Sequence, residues 1–132
     1  MNRIFFILLF FMIALVLSSH ANNTKCKTAW QQAKTLNEKQ KIEWLIACIA
    51  KQEGSFIRNG SEYTPSQAAE HLRMKWQKGG DKIKTAQDFI KHLASTSSVS
   101  GKPYQIQLKN GQRVNVGALL NAELKRISAN DK

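Results

Sequence analysis

Residues 56–76 read FIRNGSEYTPSQAAEHLRMKW, and the order of local signals within them sets the fold class. Phe56-Ile57-Arg58 is β-prone, Asn59-Gly60 is a two-residue hairpin turn, and Glu62-Tyr63 supplies a return strand. Thr64-Pro65-Ser66-Gln67 follows directly, with a cap, a proline at the first helical position and a glutamine placed to complete a capping box. A helix from there to Gly79-Gly80 carries Ala68, Ala69, Leu72 and Trp76 as its apolar stripe. His71 and Lys75 fall on the rim of that stripe, and Met74 lies away from Leu72. A hairpin running straight into an amphipathic helix predicts an α+β domain, mostly helical.

Outward from this stretch the signals repeat. Thr85 and Asp88 cap a further helix whose core stripe is Ala86, Phe89, Ile90, Leu93 and Ala94, with His92 pointing away. Residues 104–116 read as strand, Asn110-Gly111 turn and strand, with Tyr104, Ile106 and Leu108 on one face. From Gly117 to Ser128 a closing helix uses Leu119, Leu120, Leu124 and Ile127. Upstream, Asn37 with Gln40 starts a helix that buries Ile42, Leu45, Ile46 and Ile49 and carries Trp44 and Cys48 on another face. A helix over Thr24–Thr35 precedes it. The expected architecture is a helical hairpin plus three further helices with one or two small β-hairpins.

Reflection about Asn37 in an antiparallel helix pair places Cys26 opposite Cys48 and Trp30 opposite Trp44. That predicts a disulfide clamping the helical hairpin, worth roughly 3 kcal/mol on the chain-entropy estimate; two buried free thiols are the alternative.

The first residues fix an expected location. Arg3, a 14-residue apolar run from Ile4 to Leu17 and a small-residue stretch ending at Ala21 predict a cleaved signal peptide over residues 1–21 and a single domain over 22–132. The run is short for a membrane anchor, since spanning a bilayer takes about 20 apolar residues. The whole chain carries a formal +11, with 20 basic and nine acidic residues. Such a balance suits a non-enzymatic binding or interaction module for an anionic component of the cell envelope or for an envelope protein; export argues against nucleic acid as partner. A solvated basic surface is the plainer reading, because the basic residues are scattered.

No phosphate loop, metal cluster or complete catalytic set is present, so no cofactor and no metal are expected. The candidate ligand-binding residues are Arg58, Tyr63, His71, Lys75, Ser98, Ser100, Lys102 and Tyr104, with Arg58 and Lys102 suited to hold an anion. A small hydrolase pairing Ser98 or Ser100 with His71 is the alternative, though the serine-rich loop lacks a strand-to-helix nucleophile elbow. Arg58 and Glu62, flanking the first turn, also read as a cross-strand ion pair.

Four stretches, FIRNGSEY (56–63), AEHLRMKW (69–76), IKTAQDFI (83–90) and SSVSGKPY (97–104), resemble the YfeK-like family of small exported bacterial proteins. They follow one another between residues 56 and 104, a span of about half of the chain that follows the signal. The resemblance implies a compact single domain in the periplasm of a Gram-negative bacterium, and it implies no catalytic or binding residues. The two cysteines lie outside these stretches.

Overall fold

The computed structural model describes residues 36–129. The expected signal peptide, the first helix of the expected helical hairpin, Cys26 and Trp30 lie outside them. Three capping boxes start three of the helices, and each forms both of its reciprocal hydrogen bonds. Asn37 caps α1 (Glu38–Ala50), accepting from the Gln40 amide at 2.9 Å while the Gln40 side chain accepts from the Asn37 amide at 2.9 Å. Thr64 and Gln67 do the same for α2 (Pro65–Gly79), and Thr85 and Asp88 for α3 (Ala86–Phe89). Each box satisfies two backbone donors that a helix start leaves open.

Between α1 and α2 runs the hairpin of β1 (Ser55–Arg58) and β2 (Ser61–Tyr63). Its turn residues Asn59 and Gly60 have φ of 52° and 83°, the left-handed pair that a tight hairpin turn needs. A second hairpin, β3 (Gln105–Gln107) with β4 (Arg113–Asn115), leads into α4 (Val116–Ala129). The two hairpins join. β1 pairs antiparallel with β3, Phe56 opposite Ile106, so the four strands form one sheet in the order β2-β1-β3-β4.

α1 is the hub of the core. It packs on α2, α3 and α4, and it is buried on two faces because Trp44 and Cys48 join Ile42, Leu45, Ile46 and Ile49 inside. Trp44 is covered by the Arg126 guanidinium of α4, 5.0 Å from its ring centre. Across the same core, the Glu38 carboxylate of α1 accepts from the Ala86 amide at 2.8 Å and so caps α3. That bond, ahead of Lys41, holds the Glu38 carboxyl below its ordinary pKa.

One helix departs from the expected period. After Phe89 the winding loosens into a π-helical turn, Ile90–Ala94, with Ile90 and Ala94 buried and Leu93 partly so. The Ser95 hydroxyl donates to the Ile90 carbonyl at 2.7 Å. The wider turn keeps Phe89 and Ile90 in the core together with Ala94, and it leaves the Leu93 carbonyl to a partner outside the helix.

Candidate functional site: a cavity between the first hairpin and α2

The β1–β2 register decides which side chains reach α2. Phe56 lies opposite Tyr63 and Arg58 opposite Ser61, so these four share one face, while Glu62 lies opposite Ile57 on the other. Arg58 and Glu62 therefore point to opposite faces of the hairpin and do not form the expected ion pair. With its flanking carboxylate turned away, the Arg58 Nε is buried without a hydrogen-bond partner.

α2 crosses this face and closes a cavity of about 250 Å³. Phe56, Arg58 and Tyr63 line it from the hairpin, and Gln67, Ala68, Glu70, His71 and Met74 line it from α2. The His71 Nε2 is a second buried nitrogen without a partner. Burial holds the His71 imidazole below its ordinary pKa, and the charges of Arg58, Lys75 and Lys78 press the same way.

Lys75 is one turn further along α2 and is spent inside the protein. Its ammonium donates to the Leu93 carbonyl freed by the π turn at 2.8 Å and to the Tyr104 hydroxyl at 3.3 Å, and it lies 5.3 Å from the Tyr104 ring centre. Burial lowers the Lys75 pKa, with Arg58 adding to the effect. Burial raises that of Tyr104, while Arg58 and a hydrogen bond from Ser97 oppose the rise. Arg58 thus acts on His71, Lys75 and Tyr104 alike, and is the electrostatic centre of the cluster. Phe56 stacks at a tilt on Tyr104, ring centres 5.3 Å apart, and so carries the β1–β3 seam beneath the cavity.

The loop after the π turn holds the hairpin tip. Its backbone is closed by Ser97 N–H to the Lys102 carbonyl at 2.9 Å and Gly101 N–H to the Ser97 carbonyl at 2.8 Å. The Asn59 amide donates to the Ser97 hydroxyl at 3.2 Å, and the Ser100 hydroxyl donates to the Asn59 side-chain oxygen. Ser97 is the buried polar residue here, 2% exposed. Ser98 is exposed and takes no part in these bonds, and Lys102 joins them through its backbone alone.

The eight sequence candidates therefore divide into three sets. Arg58, Tyr63 and His71 line the cavity; Lys75 and Tyr104 support it from below; Ser98, Ser100 and Lys102 belong to the loop that clasps the turn. None of the loop serines lines the cavity with His71. Sequence reasoning passed over Ser97 and the Asn59 side chain. Asn59 was legible as a turn former, whereas its amide's partner lies 38 residues away and carries no local signal. Among the described residues no three His, Cys, Asp or Glu gather as metal ligands, and no helix is long and apolar enough to cross a membrane.

Comparison with known proteins follows the same boundaries. A family model described as "Family of unknown function (DUF5329)" matches residues 36–128. The uncharacterized protein YfeK of Salmonella typhimurium is 37% identical over 76 residues, which is 58% of this chain and 63% of that protein. The chain thus matches less than two thirds of the length of this relative. No solved structure matches it.

Proposed function

The chain belongs to the DUF5329 family, and we propose that it is an exported, non-enzymatic binding module that takes an anionic component of the cell envelope, free or displayed on an envelope protein, in the cavity between the first hairpin and α2. The observation that carries the reading is a single cavity lined by both Arg58 and His71, each of which also holds a buried nitrogen without a partner, Arg58 Nε and His71 Nε2. Buried polar groups are nearly always hydrogen-bonded, and an orphaned one costs about 1–3 kcal/mol. Two residues with such an unmet donor on one cavity wall, one of them a guanidinium, suit an acceptor brought by a ligand.

Location in the periplasm is part of the same proposal and rests on the signal-like residues 1–21. So does a Cys26–Cys48 bridge, which the oxidising compartment would favour. The net charge of +11 suits encounter with anionic surfaces. The hydrolase alternative is not favoured: Ser100 is engaged with Asn59 and with the Lys102 amide, and Ser98 stands outside the cavity.

The test is a thermal-shift series with peptidoglycan fragments, lipopolysaccharide sugars and anionic lipids, on the native protein and on Arg58→Gln. A ligand that binds only the folded state stabilises it, by about 2.7 kcal/mol at a hundredfold excess over Kd. A saturable rise in Tm that Arg58→Gln removes supports the reading. A rise that is unchanged in Arg58→Gln places the anion elsewhere and overturns it.

A further inference from the structure

The walls of the cavity narrow the class of ligand. Phe56 and Ala68 are its buried apolar lining, and Met74 and Tyr63 add exposed apolar surface to it. Among the described residues only three large apolar side chains are exposed, and two of them, Tyr63 at 37% and Met74 at 47%, border this cavity. Surface apolar groups gathered at a concave site mark a place where something apolar is covered.

The charge is limited as sharply as the apolar surface is. Arg58 is the one permanent cation lining the cavity, since the Lys75 ammonium is turned to the Leu93 carbonyl and Tyr104. Glu70 in the same lining disfavours a second negative charge on the ligand. A planar guanidinium matches a carboxylate in shape and in charge. At about 30 Å³ for each water-sized group, the volume holds roughly eight non-hydrogen atoms, enough for a carboxylate and one apolar side chain, with any further part of the ligand left outside the open mouth.

We propose that the cavity takes a small monocarboxylate with an apolar body, its carboxylate on Arg58 and its body against Phe56, Met74 and Tyr63. This rests on the binding-module reading and narrows its ligand. Such a group is found at the end of a short acyl chain and at the C-terminus of a peptide with an apolar last residue. Both present the same chemistry to the site.

The experiment is calorimetric titration of the protein purified from cells expressing the whole chain. The probes are hexanoate, N-acetyl-leucine, acetate, inorganic phosphate and hexylamine, each also titrated into Arg58→Gln and Met74→Gln. Hexanoate or N-acetyl-leucine binding at least tenfold tighter than acetate and phosphate is the expected result. Arg58→Gln weakens it at least tenfold and Met74→Gln severalfold, with the far-ultraviolet circular dichroism of both variants unchanged. The tighter of the two probes tells an acyl source from a peptide one. Phosphate binding as tightly as hexanoate, with both lost in Arg58→Gln, overturns the monocarboxylate and leaves the anion site standing. Hexylamine matching hexanoate, or an Arg58→Gln variant that binds hexanoate as well as the native protein, overturns the proposal as well. Binding of none of the anions removes both this inference and the reading beneath it.

Discussion

Replacing Gly54 with alanine tests the β1–β3 seam on which Phe56 meets Tyr104. Gly54 stands just before β1 with φ of +117°, and a Cβ there would lie 2.1 Å from the Gln107 carbonyl oxygen and 3.1 Å from its carbon. Both are backbone atoms of β3, so no side chain can rotate away. Reaching ordinary contact at 3.4 Å moves one strand by about 1.3 Å. That displacement stretches the ladder at Ser55↔Gln107 and at Ile57↔Gln105 beyond hydrogen-bond length. Two lost bonds at about 1 kcal/mol each and about 1–2 kcal/mol of left-handed backbone strain sum to roughly 3–4 kcal/mol. Gly60→Ala is the internal control: φ there is +83° and nothing lies within 4 Å of the added carbon, so it carries the strain without the clash. Urea unfolding of the two variants should place Gly54→Ala about 2 kcal/mol below Gly60→Ala, with unchanged m-values. Equal losses in the two variants would refute the clash between Gly54 and the β3 backbone.

Lys75→Met removes a charged donor from the Leu93 carbonyl while relieving repulsion from Arg58, so the net loss should be about 1–2 kcal/mol in chemical unfolding. The same change should raise the His71 pKa, read by NMR titration, because one of the charges holding it down is gone. Ser97→Ala takes the hydroxyl from the Asn59 amide and the Val99 N–H and should cost about 1–3 kcal/mol, whereas Ser98→Ala at an exposed position should stay within about 0.5 kcal/mol. A non-reduced mass two hydrogens below that of the reduced chain, with Cys26 and Cys48 in one linked peptide, is the expected result for the disulfide. An unchanged mass removes it.

What the sequence made legible is what local chemistry controls. Thr64 with Gln67, Asn37 with Gln40 and Thr85 with Asp88 each complete their bonds within three residues, and Asn59-Gly60 sets its own turn. The join of the two hairpins was hidden because Ser55 meets Gln107 across 52 residues and nothing in either strand names the other. The π turn was hidden for a different reason. Apolar residues at 86, 89, 90, 93 and 94 satisfy a helical period and a looser one equally well. The Ser95 bond to Ile90 and the Lys75 bond to Leu93 accompany the looser one. Of the candidate site, the residue types were visible and the division of labour was not. Lys75 reads as a binding cation until its ammonium is seen on a backbone carbonyl, and the register that parts Arg58 from Glu62 follows only once the hairpin is closed.

His71 joins stability to binding through one proton. Its pKa in the folded protein lies below the ordinary value of 6.5, from burial first and then from Arg58, Lys75 and Lys78. The unfolded chain therefore holds more protons than the folded one between the folded pKa and 6.5, and stability falls as pH drops through that window. Below it His71 contributes no further loss, and the next group to act is Glu38, whose carboxyl is held below 4.5. A ligand carboxylate beside Arg58 adds a negative charge to the cluster, which favours the imidazolium. By reciprocity, protonation of His71 must tighten the ligand. Affinity should rise as pH falls through the same window in which the empty protein loses stability, until the ligand itself is protonated. His71→Gln should flatten both slopes, in urea unfolding and in titration with hexanoate, between pH about 5 and 7. A native affinity that is flat across that range, or a slope that survives His71→Gln, would remove His71 from the site and leave Arg58 as the group on which anion binding turns.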